Sequence, residues 1–140
     1  MPETEDPKTP GAKLLIVTPI LFVRDVTAAA SHYVEKLGFS VDFLYGAPPF
    51  YGSISRDGVC LHLRHVGRTN FAELAAREVS LILATIEVTD LETLFEEIRL
   101  RGAELAQAPM IQDWGGKDFH VRDPDGNVIS FVEFRSAENA

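Results

Sequence analysis

The side chains in this sequence best suited to holding a small molecule are aromatic and few. Trp114 is the only tryptophan. It sits in Asp113-Trp114-Gly115-Gly116, a glycine-flanked loop, where an indole is costly to expose unless it packs or binds something. Phe50 and Tyr51 follow Pro48-Pro49 and offer flat faces from another side, unless one of them fills the core. His62 alternates with Leu61 and Leu63, so with Cys60 and Arg64 it lines the strand face opposite to theirs. It is either a polar contact in a cleft or a satisfied sheet histidine. Phe43 and Tyr45 share a strand face, where either lines the cleft or, as the safer reading, packs in the core. Asp42, Asp113 and Asp118 lie near these aromatics in sequence. They would attract a cationic group, or simply be solvated. His120, between Phe119 and Val121, reads as structural or exposed, and His32 and His65 as surface. The chain shows no serine nucleophile motif, phosphate loop or paired catalytic carboxylates, which leans against an enzyme.

Composition narrows the partners. The chain has 140 residues, enough for one domain and cramped for two cores. A net charge of −8 disfavours nucleic acid, whose phosphates require a basic face, and favours a cationic ligand over an anionic one. No apolar run approaches the ~20 residues that span a bilayer. The single cysteine, Cys60, can form no internal disulfide and has no partner for a cysteine-based zinc site, which fits a reducing cytoplasm. Residues 1–13, acidic and holding three prolines, read as a flexible leader rather than a secretory signal. Residues 136–140 read as a tail.

Residues 14–135 must position those side chains. Leu14 to Val23 reads as a strand broken by Pro19, which demotes it to an edge or a strand end. Asp25 caps a helix carrying Val26, Ala29, Ala30, Tyr33 and Leu37 at helical spacing, stopped by Gly38. Strands follow over Phe39 to Tyr45, Phe50 to Ser55 and Val59 to His65, the last two joined by the hairpin signal Arg56-Asp57-Gly58. Residues 67–78 form a connector with a short helix at Phe71 to Ala76. Then the pattern restarts. Val79 to Val88 reads as a strand, and Thr89 to Glu92 as a capping box. Leu91, Leu94, Phe95 and Ile98 mark a helix ended by Gly102. Ala103 to Ile111, Phe119 to Val121 and Val128 to Phe134 read as strands, the last two joined by the turn Asp123 to Asn127.

Asp25 and Asp90 thus stand at matching helix starts, about 65 residues apart, and the Asp57-Gly58 and Asp125-Gly126 hairpins are about 68 apart. Duplication is the simplest account. The expected fold is α+β: two tandem βαβββ modules, about 14–66 and 79–135, forming an open, mostly antiparallel barrel-like sheet with a central cleft.

The stretch Thr18 to Val26, then Tyr33 and Lys36-Leu37-Gly38-Phe39, resembles the first module of the glyoxalase/bleomycin-resistance/dioxygenase (vicinal oxygen chelate) superfamily. Trp114 to Asn127, ending Arg-Asp-Pro-Asp-Gly-Asn, resembles its closing hairpin. Within the superfamily the chain is most similar to bleomycin-resistance proteins. That resemblance implies a homodimer with two grooves at the subunit interface, often with the first strand exchanged between subunits. An aromatic at Trp114 would stack there on a planar antibiotic-like ligand, cationic or neutral. Trp114, Phe50, Tyr51, His62 and Asp113 are the expected binding residues. The superfamily's metalloenzymes hold a divalent ion at positions that fall here on Thr18, His62, Leu83 and Ser130. Only His62 ligates well, so no metal or other cofactor is expected. The alternative is a metal-dependent lyase, isomerase or dioxygenase. It would require His62 and His120, with Glu133 or Glu87, to converge on one point.

Overall fold

The computed structural model describes residues 11–68, 71–78 and 81–134. The leader up to residue 10 and the tail beyond 135 lie outside the described residues. Strand β1 (Ile20–Val23) leads to helix α1 (Val26–Leu37), then β2 (Ser40–Gly46), β3 (Pro49–Arg56) and β4 (Val59–His65). A short helix α2 (Phe71–Arg77) stands in the connector. The order then repeats as β5 (Ala84–Glu87), α3 (Leu91–Leu100), β6 (Glu104–Ile111), β7 (Gly116–Arg122) and β8 (Val128–Phe134). Two open four-stranded sheets result, ordered β1-β4-β3-β2 and β5-β8-β7-β6. In each, the first strand runs parallel to the last and the remaining pairs are antiparallel. The chain is a tandem pair of βαβββ modules.

Local chemistry accounts for the helix ends. The Asp25 carboxylate accepts from the Ala28 N–H at 3.0 Å, and Gly38 takes the left-handed conformation (φ +75°) that lets its N–H and the next reach back to the last turn. The α1 stripe Val26, Ala29, Ala30, Tyr33 and Leu37 is buried as its spacing predicts. α3 starts differently from expectation. Asp90, not Thr89, is the cap: it accepts from the Thr93 N–H at 3.2 Å and the Thr93 hydroxyl at 2.8 Å. Glu92 turns outward to Lys117, and Glu133 takes the Leu91 N–H at 3.0 Å instead. A shorter carboxylate one residue on thus does the work of the expected box.

Two strand starts are also corrected. Leu14 to Val17 is not a strand; these four residues are 77–103% exposed. β1 begins at Ile20, just past Pro19, because ladder partners on β4 are available only from there. Likewise β5 begins at Ala84, beside β8, with residues 81–83 outside the strand; the expected start at residues 79 and 80 lies outside the described residues.

One apolar core serves both modules. Leu21, Val23, Ile54, Leu61 and Leu63 from the first sheet join Ile86, Phe119, Val121, Ile129 and Phe131 from the second, with the buried faces of α1 and α3. Polar ties fasten the junction at two places. At one, Arg56 reaches the Leu37 carbonyl and pairs with both oxygens of Glu97 at 2.8–3.0 Å. At the other, the Asp123–Asn127 turn grips the first module: the Tyr33 hydroxyl donates to Asp123, the Arg24 backbone and guanidinium to Asp125, and the Asn127 amide to the Phe22 carbonyl. These turn residues do bond nearby backbone, as expected, but they also clamp the two halves together.

The register aligns the halves. Ser53 on β3 faces His62 on β4, and at the corresponding place His120 on β7 faces Ser130 on β8. The same two side chains occur in both modules with the strands exchanged.

Candidate ligand-binding site

The sheet face turned away from α1 carries much of the first module's aromatic surface. His62 and Tyr51 stand on neighbouring strands of that face. The Tyr51 hydroxyl and His62 Nδ1 share a hydrogen bond of 2.8 Å, and the rings meet edge-on at 5.3 Å. Phe43 approaches the same imidazole at 6.3 Å. Asp42 takes hydrogen bonds from Ser53 and Ser55 at 2.8 and 2.7 Å, and Cys60 Sγ lies 3.2 Å from the Ser53 hydroxyl. Tyr45 and Phe50 meet edge-on at 5.3 Å at the end of the β2–β3 hairpin. Phe43, Tyr45 and Phe50 are 47–64% exposed, so the expectation that Phe43 and Tyr45 pack in the core is wrong. The reason is local: β2 is an edge strand, and a bulge between Val41 and Phe43 rolls its aromatics off the core side.

Trp114 belongs to a second group, on the other module. It is 58% exposed, and Asp113 beside it is exposed too. The indole rests over Gly116, where an added Cβ would fall 2.2 Å from the ring, and leans on Phe134 at 5.8 Å between centroids. Glycine at 116 is therefore what makes room for it. The ring that Trp114 meets is Phe134, on the second sheet, whereas Phe50, Tyr51 and His62 belong to the first. Two aromatic walls stand on two different sheets.

Behind Trp114 lies a polar cluster that neighbouring charge in the sequence only hinted at. Asp118 is 4% exposed and His120 5%. Asp118 Oδ1 accepts from the Gln107 and Gln112 amides at 2.7 and 2.9 Å, and Oδ2 lies 3.2 Å from His120 Nε2. Burial pushes the Asp118 carboxyl up, but the bonds from Gln112, Gln107 and His120 outweigh it and hold the group below the usual carboxylate range. So Asp118 is not a solvated surface charge, and His120 is structural and buried. His32 is half-buried rather than surface, and desolvation lowers its pKa. His65 is exposed, with Nδ1 3.0 Å from the Arg24 carbonyl.

A cleft of about 440 Å³ opens elsewhere, at the module junction, between the Asp57-Gly58 turn, β5 and the first turns of α3. None of the five expected binding residues lines it. Its floor is core (Leu37, Phe39, Ile86, Phe131), and much of its polar rim is engaged, Glu97 with Arg56 and Arg101, and Asp90 with Thr93.

The sequence model of the Glyoxalase/Bleomycin resistance protein/Dioxygenase superfamily matches residues 15–131. The chain belongs to this superfamily. Bleomycin resistance proteins of Geobacillus stearothermophilus and Staphylococcus aureus are each 29% identical to it over 127 aligned residues, covering 82% of this chain and 93% of theirs. Among solved structures, the bleomycin-binding protein of Streptomyces verticillus, complexed with copper(II)-bleomycin, is 28% identical and superposes with a TM-score of 0.69 over 89% of this chain and all of that one. The bleomycin resistance determinant of transposon Tn5, 21% identical, shares the fold with a TM-score of 0.71 over 88% of this chain and 100% of its own.

Superfamily membership raises the question of a metal, and the donor set does not fit one. Of the four positions on which the superfamily resemblance places metalloenzyme ligands, Leu83 has no donor and packs against the core, Thr18 and Ser130 are hydroxyls, and His62 alone carries a strong donor. Among the described residues no group of three or more His, Cys, Asp or Glu side chains gathers to hold an ion. Nor among them is any helix long and apolar enough to cross a membrane.

Proposed function

We propose that this protein binds and sequesters a planar, cationic, bleomycin-like molecule, without a metal of its own, in grooves formed between two copies of the chain. The observation that carries the reading is the pair of exposed aromatic walls. Tyr51–His62 with Phe50 stands on one module and Trp114, with Asp113 beside it, on the other, each on its own sheet. Pairing of two chains, wall one against wall two, would form two such grooves. The kinship with bleomycin resistance and bleomycin-binding proteins supports the ligand class, and the net charge of −8 supports a cationic ligand. Stacking on Trp114 and Phe50 supplies affinity, the Tyr51–His62 pair a polar contact, and Asp113 attraction. Leu14 to Val17, apolar and almost fully exposed, is the segment that a second chain would cover. Sequestration requires no bond to be made or broken. A single cysteine in no disulfide, Cys60, suits a reducing cytoplasm.

The test is titration with bleomycin, metal-free and as its copper(II) complex. Quenching of Trp114 emission and two ligands per sedimenting dimer are expected. A monomer in sedimentation, or no binding at concentrations of about tens of micromolar, would overturn the proposal.

A further inference from the structure

We propose that Asp118 is the positioning residue for Trp114: through Gln112 it anchors the base of the loop that presents the indole. This rests on the reading of Trp114 as a ligand contact.

The loop between β6 and β7 is closed by two backbone bonds, Gln112 N–H to the Gly116 carbonyl at 2.7 Å and Gly115 N–H to the Gln112 carbonyl at 3.2 Å. Gln112 takes part in both. Its side chain turns inward, and its amide donates to Asp118 Oδ1 at 2.9 Å. Asp118 is one regular pleat beyond Gly116, so it stands on the same face of β7 as the glycine under the indole. It is held in turn by Gln107 and His120, whose bonds fix its carboxylate on β6 and β7. A buried carboxylate gathering donors from the loop base and from two strands transmits the rigidity of the sheet to the loop. An aromatic contact held in its bound orientation beforehand binds more tightly, because less freedom is lost on association. Most of Trp114 is solvent-exposed, and its own packing, on Gly116 and Phe134, covers only part of it. The tether from below is what remains to define where it points.

The arrangement distinguishes two bonds to the same oxygen. Gln112 belongs to the loop, whereas Gln107 belongs to β6. Losing the first frees the loop; losing the second leaves the tether to the loop in place.

Trp114 is the sole tryptophan, so its emission reports on this loop alone. In ligand-free protein, acrylamide quenching and time-resolved anisotropy are measured for D118A, Q112A, Q107A and D118N. Titration with copper(II)-bleomycin follows. D118A and Q112A are expected to give a more accessible, faster-moving indole and about tenfold weaker binding, with the double variant no worse than D118A. Q107A and D118N, whose carboxamide oxygen still accepts from Gln112, are expected to stay near wild type. An indole in folded Q112A as slow and as protected as in the wild type would overturn the assignment, and Q112A decides the matter if D118A fails to fold. If wild type does not bind bleomycin, the proposed function fails, while the anisotropy comparison still decides the role of Asp118.

Discussion

The Tyr33 hydroxyl donates a hydrogen bond of 2.8 Å to Asp123 Oδ2 across ninety residues of sequence, joining the first module's helix to the second module's last turn. Both groups are buried, and the same carboxylate also takes the Asp125 and Asn127 N–H groups and the Asn127 amide. Burial first, then the neighbouring Asp123 charge, pushes the Tyr33 phenol well above its ordinary range. Tyr33→Phe keeps the ring and removes the donor. It is expected to lower unfolding free energy by about 1–3 kcal/mol, read as a reduced urea midpoint, without changing Trp114 emission. A midpoint equal to wild type would show that the contact does not hold the modules together.

Two buried carboxylates five positions apart are expected to titrate in opposite directions. Asp118 is held below its unfolded value, so its contribution to stability is complete above that value, ordinarily about 3.9, and is lost as pH falls through the still lower folded one. Burial raises Asp123 against the pull of Asn127 and Tyr33. Its protonated form is therefore favoured in the fold: its contribution is full below the unfolded value and lost as pH rises through the folded one. Carboxyl carbon shifts followed by NMR from pH 2 to 7 are expected to place the Asp118 midpoint below the Asp123 midpoint. The reverse order would contradict both assignments.

Gly116→Ala tests the seat of the indole. The new methyl would fall 2.2 Å from the Trp114 ring, so the ring must leave. A shifted emission maximum and a loss of bleomycin affinity of about tenfold, ~1.4 kcal/mol, are expected. Unchanged emission would mean that the indole does not rest on this glycine.

Leu15→Asp combined with Val17→Asp places charge on the exposed run before β1. Little change in the thermal stability of the isolated chain is expected, because neither side chain is in the core. Sedimentation is expected to shift toward the monomer, and ligand binding to fall with it. A dimer of undiminished affinity would show that this segment covers nothing.

Most of the fold was legible because its signals are local. Asp25, Gly38 and the stripe from Val26 to Leu37 lie within one helix, and each is found in its expected role. The duplication was legible because caps and hairpins recur in order. What failed depends on partners far away in sequence. The run 14–17 lies ahead of the first residue with a ladder partner on β4, and the exposure of Phe43 and Tyr45 follows from a bulge and an edge position. The Asp118 cluster was invisible because Gln107 and Gln112 reach it only through the irregular register of β6 on β7. The aromatic residues themselves could be picked out by type and by their glycine and proline neighbours. Their division between the two modules could be read as well, but not their neighbours, since spacing along the chain does not show that Trp114 rests on Gly116 and Phe134.

The exchange of serine and histidine between Ser53–His62 and His120–Ser130 has an evolutionary meaning. In a protein made of one module, pairing with itself, every mutation would be imposed on both sides of the recess at once. Fusion of two copies into one gene ends that obligation. One copy here places its imidazole against a tyrosine and the other against an aspartate. Each side can therefore be altered by selection while its twin is left as it was, and an inherited symmetry becomes two independently adjustable sites encoded in a single reading frame.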